Sequence, residues 1–384
     1  MKRRAFLRAG CACAGALLPP LAGAQEQAIE WDFPPRFTRP DIASDEGGLW
    51  AMMDRAETRL RRSPFAIRDH KLHAYVEDIA CRLGASHCPD IRVHIVRTPW
   101  FNASMAPNGM MQVWSGLLLR ADNEAQLAAV LGHEIGHYIS RHSVERLRDA
   151  RSRAAFGQFL GLFGVAGLVG QVGVLAGMLA YSRDHEREAD RIGAILMQRS
   201  GYDVSEAAKV WANLLLETKA RPQGTQESIF FATHPGPEER EAALAEFARA
   251  HPGGETNQTT WQQMLAPFVR EWLGDEVRRG QYEESVALLG RALSRGTMQS
   301  EYFHARGEAY RLRAGPGDLE YALADFSAAI AAGNEPPQTH RSVGLVQRAR
   351  KQMPEAKLSF RRYLELDPQA PDAPMIRTYL EEAL

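Results

Sequence analysis

The sequence has few cysteines and no excess of charge of either sign. Its 46 basic and 47 acidic residues nearly cancel, which argues against a nucleic-acid-binding surface. Only four of the 384 residues are cysteines, and Cys11 and Cys13 lie in the N-terminal apolar segment. The other two, Cys81 and Cys88, lack the spacing of a zinc ribbon, so a second metal site is not expected. They can close a small loop as a disulfide in an oxidising compartment, and two free thiols are the alternative.

The N-terminus has the pattern of an export signal. Residues 1–24 begin with the basic sequence Lys2-Arg3-Arg4, continue with apolar residues and end with the small residues Ala22-Gly23-Ala24. This pattern predicts a signal peptide that is removed from the mature protein. The paired arginines resemble a twin-arginine signal, and ordinary secretion is the alternative. Residues 25–48, which are rich in proline, are predicted to form an extended arm over the following domain.

Residues 133–137 form an HExxH sequence within a segment that has the pattern of one helix. Histidines four residues apart share a helical face, so His133 and His137 can bind one metal ion. Glu134 is placed to take a proton from an attacking water. Asp122 is a candidate N-cap, and a buried face is predicted for Leu127, Val130, Leu131 and Ile135.

A second predicted helix carries two carboxylates on one face. Glu186 and Asp190 are four residues apart, and a zinc hydrolase needs a third protein ligand. One carboxylate can bind the metal while the other holds the second ring nitrogen of a ligand histidine. A solvated charged face is the alternative, because arginines alternate with the acidic residues, and periodicity does not distinguish the two.

The HExxH sequence, followed by Glu186, Asp190 and Gly193, resembles the HtpX-like zinc metallopeptidases. The resemblance also covers the segments 102–104, 107–109 and 115–118 and extends over most of residues 50–245. It implies one zinc ion per chain, with Glu186 as the third ligand and Asp190 behind the ligands.

His142 is the competing third ligand. It follows His137 by five residues, about 140° further around a continuous helix, and is one residue short of the spacing in proteases with three ligand histidines. We therefore reject it as a ligand.

The resemblance extends to Thr233-His234-Pro235 and to Arg240, which it places behind the ligands. It implies that His234 lies near the zinc, where it either stabilises the oxyanion or occupies the open metal position in a resting state. A loop histidine before a helix is the alternative reading. Asn102 and Ala103 lie in a predicted edge strand, where a substrate would bind as an added strand.

The apolar, glycine-rich segment at residues 154–180 is long enough for a membrane helix. A single crossing would separate His137 from Glu186 by ~30 Å, although both must reach one metal ion. Each arm of a hairpin would be too short to cross, at about 18 Å. We expect a mobile hairpin that acts as a lid or touches a membrane surface. Some members of the family use this region as membrane segments.

The C-terminal part contains repeats. Ala322, Phe326 and Ala329 recur 34 residues later as Ala356, Phe360 and Tyr363. Gly307 and Gly344 are also related, and Ser285, Leu289 and Ala292 form a degenerate earlier copy. The pattern resembles tetratricopeptide helix pairs, which stack to give a concave binding surface. An ordinary helical bundle is the alternative.

We therefore expect an α+β fold: a mainly helical zincin-type peptidase domain with a small sheet at residues 25–250, a linker at 251–262, and an all-α repeat domain at 263–384. Strands are predicted at Ile91–Val96, Asn102–Ser104 and Met111–Trp114.

The resemblance to periplasmic members of the family implies a zinc endopeptidase in outer-membrane protein quality control. Unfolded or stalled outer-membrane proteins and their assembly machinery would bind the repeats. The alternatives are a scaffold or chaperone with latent proteolysis, and a membrane-anchored protease of membrane proteins.

Overall fold

The computed structural model describes residues 32–149, 181–222 and 229–381. The chain divides after Phe33, and the unit that begins at Pro34 contains every element described below. The predicted signal peptide at residues 1–24 and the predicted apolar hairpin at residues 154–180 lie outside the described residues. Within the described ranges, no helix has both the length and the apolar character needed to cross a membrane.

The fold is mainly helical with one small sheet, which confirms the predicted fold class. The first helices are α1 (Asp45–Arg62), α2 (His70–Gly84), α3 (Ser115–Arg120), α4 (Glu124–Ile139) and α5 (His142–Asp149). They are followed by α6 (Arg183–Arg199), α7 (Ser205–Lys219), the short α8 (Ile229–Thr233) and α9 (Pro237–Ala250). The last helices are α10 (Gln258–Arg278), α11 (Tyr282–Leu293), α12 (Gln299–Arg313), α13 (Asp318–Ala332), α14 (Gln338–Ala349), α15 (Met353–Leu366) and α16 (Ala373–Glu381).

The sheet has three strands, β1 (Arg92–Val96), β2 (Ala103–Met105) and β3 (Met110–Trp114), in the order β1-β3-β2. The central strand β3 pairs in parallel with β1 and antiparallel with β2. A tight turn joins β2 to β3, and Gly109 in it has a φ of 87°. A Cβ atom at this position would lie 2.0 Å from the carbonyl oxygen of Asp90, so the turn requires glycine. Each predicted strand is present.

Helices α4 and α6 approach each other closely because small residues line their contact. Gly132 and Gly136 of α4 face Ala189 and Gly193 of α6. A Cβ atom on Gly193 would lie 2.9 Å from the backbone nitrogen of His133, closer than real Cβ atoms approach backbone. Without side chains at these glycines, the HExxH helix lies directly against the helix that carries the acidic residues.

Helix α4 begins one residue later than the sequence suggests. Its N-cap is Asn123, whose side chain accepts a hydrogen bond from the backbone N–H of Gln126. Asp122, the predicted cap, instead accepts hydrogen bonds from Asn213 and Arg291. Gln126 is three positions after Asn123, the spacing at which an N-cap side chain reaches a free N–H, so Asn123 takes this role. The predicted buried face is buried.

The segment before α1 packs against the end of α4, as expected of an arm over this domain. Phe37 contacts the ring of Tyr138 with centroids 5.2 Å apart, and Arg36 pairs with Asp90. Cys81 and Cys88 are joined by a disulfide with Cα atoms 4.5 Å apart. The loop that this bond closes contains His87, whose Nε2 lies 2.9 Å from the carbonyl oxygen of Pro34.

The C-terminal helices pack in pairs. Gly307 of α12 faces Phe326 of α13, and Gly344 of α14 faces Phe360 of α15 in the same way. A Cβ atom at either glycine would lie within 2.6 Å of the phenylalanine ring, so both glycines leave room for an aromatic side chain. The last of these helices is α16. Residues 251–257 connect α9 to α10, and the predicted division between residues 25–250 and 263–384 stays a prediction.

A buried cluster of charges connects α10 to the helices beside the sheet. Arg120 of α3 donates hydrogen bonds to both carboxylate oxygens of Glu276 at 2.9 Å and to Glu217 at 2.7 Å. Arg279 and Ser285 also donate to Glu276, at 2.6 and 2.8 Å. Burial alone would raise the pKa of Glu276, but Arg120 and Arg279 lower it to about 2. The pairing therefore stabilises the folded state fully above pH 4.5, the ordinary pKa, and the effect is lost as pH falls towards 2.

We expect Gly193→Ala to lower the free energy of unfolding by about 1–3 kcal/mol, because its methyl group would displace backbone of α4. The matched control is Gly48→Ala in α1, where a Cβ atom meets nothing within 4 Å. In this control, the free energy of unfolding should rise by about 0.5–1 kcal/mol, because alanine forms helix better than glycine. Urea unfolding of both variants measures the difference, and equal effects would contradict a close helix contact.

We expect Glu276→Gln to lower the free energy of unfolding by about 3–5 kcal/mol at pH 7, because it leaves Arg120 buried with incomplete charge compensation. Glu271→Gln is the control, since Glu271 is 55% exposed and pairs with Arg97 at the surface. Its effect should stay below about 1 kcal/mol. Urea unfolding at pH 7 tests both, and a Glu276→Gln loss no larger than that of the control would refute the role of the cluster.

Candidate metal centre

The two histidines of the HExxH sequence present the same ring nitrogen to one point. His133 and His137 are one turn apart on α4, and their Nε2 atoms are 3.1 Å apart. Both side chains are almost completely buried, with 1% exposed. Two imidazole nitrogens that converge on one point in a buried site are typical of metal ligands.

Glu186 reaches the same point from the first turn of α6. Its Oε1 atom lies 3.3 Å from His137 Nε2, and its Oε2 atom lies 3.5 Å from His133 Nε2. Ser182 caps this helix by accepting a hydrogen bond from the backbone N–H of His185. The close approach of α4 and α6 is what brings the carboxylate within reach of both histidines.

His234 is the fourth member of the group. It follows α8, and its Nδ1 atom lies 3.0 Å from Glu186 Oε1 and 3.3 Å from His133 Nε2. Its ring is stacked on Phe230, with centroids 4.4 Å apart and an angle of 15°. One ligand atom from each of His133, His137, Glu186 and His234 lies within 4.8 Å of the others.

Asp190 and Arg240 lie behind this group. Asp190 Oδ1 is 2.9 Å from His133 Nδ1, the ring nitrogen that faces away from the site. Arg240 donates to both oxygens of Asp190, at 2.7 and 2.8 Å, and its Nη1 atom lies 2.8 Å from Glu186 Oε2. Its guanidinium lies over the ring of Trp211, 4.4 Å from the centroid. A buried cation thus connects the two carboxylates that the sequence analysis singled out.

Two residues on the far side of His137 complete the surroundings. His142 does not belong to the group of four ligand atoms. Its Nδ1 atom nevertheless lies 2.9 Å from His137 Nδ1, so it contacts one member of the group. Tyr181 is stacked on His137 with centroids 3.8 Å apart. Sequence reasoning missed Tyr181, Trp211 and Phe230. Of these three residues, only Tyr181 had a signal in the sequence, because it directly precedes Ser182, the N-cap of α6.

Glu134 lies next to the group without joining it. Its Oε1 atom is buried without a hydrogen bond and lies 3.8 Å from His234 Nε2. Burial raises the pKa of Glu134 to about 7, although the charges of His234 and Arg240 partly oppose the rise. Such a carboxyl exchanges protons near neutral pH, which suits a general base and acid.

The protein environment favours the metal-binding forms of the other groups. Burial lowers the pKa of His133 and holds the pKa of His137 well below its usual range, so both rings are neutral. Burial alone would raise the pKa of Glu186, but His234 and Arg240 hold it well below its usual range. Three imidazoles and one carboxylate are a donor set that suits zinc, so these residues fit the metal that the sequence implies.

The predicted substrate residues lie on the sheet. Ala103 belongs to β2 and pairs with Val113 of β3, and the carbonyl oxygen of Asn102 accepts a hydrogen bond from the backbone of Trp114 at 3.1 Å. Neither residue is in the metal group. Glu134 accepts a hydrogen bond from the backbone of Met105, which places β2 beside the Glu134 carboxylate.

Comparison with known proteins agrees with this geometry. The model of Peptidase family M48 matches residues 66–248. The beta-barrel assembly-enhancing protease of Escherichia coli (strain K12) is 29% identical over 325 residues, which are 74% of this chain and 64% of that protein. The chain thus spans slightly less than two thirds of that relative.

A second group of relatives matches a shorter part of the chain. The mitochondrial metalloendopeptidase OMA1 of Arabidopsis thaliana is 32% identical over 181 residues, 47% of this chain and 34% of that protein. The protein of the same name from Schizosaccharomyces pombe is 30% identical over 188 residues, 46% of this chain and 53% of that protein. Together with the geometry above, these matches show that residues 66–248 are similar to the metallopeptidases of Peptidase family M48.

Proposed function

We propose that this protein is a zinc-dependent endopeptidase that binds one zinc ion through His133, His137 and Glu186. The observation that carries the proposal is the convergence of these three side chains from α4 and α6, with the buried carboxyl of Glu134 beside them. The family assignment supports zinc as the metal and the peptide bond as the substrate.

The chain's own residues supply the proton transfers. Zinc, when bound, acts as a Lewis acid towards water and the scissile carbonyl. Glu134 takes the proton of the attacking water and later passes it to the leaving amine, for which a pKa of about 7 is well placed. Asp190 accepts the Nδ1–H of His133 and so fixes the tautomer that leaves Nε2 free. Arg240 holds Asp190 and Glu186 in place.

Substrate would bind along β2 as an added strand. Among the described strands, β2 is at the edge of the sheet, and Asn102 and Ala103 lie at its start. An extended peptide paired with this edge would place its backbone next to Glu134, because β2 already contacts that side chain through Met105. Recognition through the backbone fits an endopeptidase without a narrow side-chain preference.

His234 holds the site in a resting state. A catalytic zinc needs three protein ligands and one open position. The Nδ1 atom of His234 lies among the other ligand atoms, at distances that a fourth ligand would have, which supports this role. This geometry favours occupation of the open position over a role in stabilising the oxyanion. It also favours the alternative in which proteolysis is latent and the protein holds clients through its C-terminal helices.

The cellular role that we propose is quality control of outer-membrane proteins in the bacterial periplasm. It is supported by the similarity to relatives named beta-barrel assembly-enhancing proteases and by the predicted export signal at residues 1–24. The paired helices α12–α15, with equivalent glycine–phenylalanine contacts, support a tetratricopeptide-like array that binds unfolded or stalled clients and their assembly machinery. Peripheral membrane contact through residues 154–180 stays a prediction.

We expect Glu134→Gln to reduce casein cleavage by the purified mature chain by at least about 10²-fold, because the amide cannot take a proton from water. Its zinc content should remain one per chain, since Glu134 is not in the ligand group. Metal analysis and a cleavage assay test this. Glu239→Gln is the control, because Glu239 is exposed and pairs with Arg187, and its cleavage rate should match wild type. Full cleavage by Glu134→Gln would contradict the mechanism.

We expect His234→Ala to raise the casein cleavage rate about tenfold or more and to keep the zinc, because the three remaining ligands suffice and the open position becomes free. His251→Ala is the matched control, a histidine stacked on Phe247 away from the site. Its cleavage rate should not change. A His234→Ala variant that retains zinc but loses cleavage would show that His234 assists the reaction instead.

A further inference from the structure

We propose that His142 is a positioning residue, which orients the ligand His137 by accepting a hydrogen bond from it. The proposal rests on the proposed zinc site. His137 Nδ1 and His142 Nδ1 are 2.9 Å apart, a normal hydrogen bond distance between two nitrogens. His142 is itself 2% exposed, so water does not compete for this bond.

The position of His142 depends on a sharp break in the chain. Helix α4 ends at Ile139, and Arg141 has a φ of 58°, in the left-handed region. The backbone N–H of Arg141 donates to the carbonyl oxygen of Tyr138, and α5 begins directly afterwards at His142. On a continuous helix His142 would lie about 140° away from His137. The break instead turns its imidazole back towards the ligand.

The direction of the hydrogen bond follows from the tautomers. His137 points its Nε2 atom at the ligand group, 3.1 Å from His133 Nε2, and a metal ligand must keep that lone pair free. A neutral His137 therefore carries its proton on Nδ1 and donates it. His142 must accept at Nδ1, so its own proton is on Nε2.

The surroundings of His142 fit this tautomer. Its Nε2 atom faces Glu188 Oε2 at 3.5 Å, and Ser140 donates to the other oxygen of Glu188 at 2.9 Å. The ring of His185 is stacked on His142 with centroids 4.2 Å apart. Glu188, on α6, thus attracts the Nε2 proton.

The two ligand histidines are therefore held by different chemical groups. The Nδ1–H group of His133 donates to a carboxylate, Asp190, whereas the Nδ1–H group of His137 donates to a neutral imidazole, His142. Tyr181 packs on the face of the His137 ring, and His142 contacts its edge at Nδ1. These contacts restrict both tilting and rotation of the ring. Groups that hold a ligand histidine in this way typically contribute 10–100-fold to metal affinity.

The test compares zinc affinity of His142→Leu and His142→Asn, measured by competition with a chromophoric chelator. Leucine has no acceptor, so we expect about 10–100-fold weaker zinc binding. Asparagine places its Oδ1 atom near the position of Nδ1, so its affinity should stay within about threefold of wild type. His185→Leu is the matched control, because it removes the stacked ring but no bond to a ligand, and it should behave like His142→Asn.

Equal weakening by leucine and asparagine at position 142, or no weakening by leucine, would overturn the proposal. Equal weakening by His185→Leu would also overturn it, since packing alone would then explain the effect. A wild-type chain that binds no zinc would instead overturn the proposed function. One zinc in wild type with unchanged affinity in His142→Leu would overturn only the role of His142.

A second measurement is made on the wild-type protein. Long-range ¹H–¹⁵N correlation spectra of zinc-loaded wild type report the tautomer of each histidine. We expect a protonated Nδ1 on His137 and a protonated Nε2 on His142, with the signals of His142 assigned by their loss in His142→Asn. A protonated Nδ1 on His142 would overturn the proposal, because that nitrogen would then be unable to accept.

Discussion

The close contact between α4 and α6 is the constraint on which the site depends. Glycines at positions 132, 136 and 193, together with Ala189, remove the side chains that would separate the two backbones. Only at this distance can a carboxylate in the first turn of α6 reach both histidines of α4. The HExxH sequence therefore provides the functional groups, and the small residues allow the two helices to lie close enough for those groups to meet. Larger side chains at this contact would move Glu186 away from the histidines, although all three residues would still be present.

A metal site assembled from buried charges also needs a framework that keeps those charges paired. Arg240, from α9, lies between Asp190 and Glu186 and packs on Trp211, so an element outside the two central helices fixes the carboxylates. Arg120 and Glu276 apply the same principle at the contact with α10. Each charge that is removed from water in these clusters has an opposite charge within hydrogen bond distance, which limits the cost of burial. The framework consequently tolerates few single substitutions at its centre.

The sequence predicted the ligand residues of the site better than the residues and turns that surround them. His133, His137 and Glu186 could be identified because helical spacing and family resemblance both point to them. The position of His142 was judged on a continuous helix, but α4 ends at Ile139 and the chain turns at Arg141, whose left-handed conformation no sequence pattern announces. Tyr181, Trp211 and Phe230 contribute through stacking, which depends on tertiary distance and leaves no periodic signal. The capping residue was displaced by one position because Asp122 found partners in α7 and α11 that are remote in sequence.

The three proposed ligands on α4 and α6 are held by more contacts than His234 is. His133, His137 and Glu186 lie on two packed helices, and Asp190 and Arg240 restrain them from behind. His234 instead follows the short helix α8 and precedes Gly236, whose φ of 76° marks a turn into α9. Its ring is held mainly by stacking on Phe230, from its own segment, and by the ligand group itself. In the resting state that we propose, a displacement of this segment would free the open metal position and leave the other three ligands unchanged. Under this proposal, regulation of the site requires no change in the metal-binding helices, only competition between His234 and a substrate strand that binds along β2.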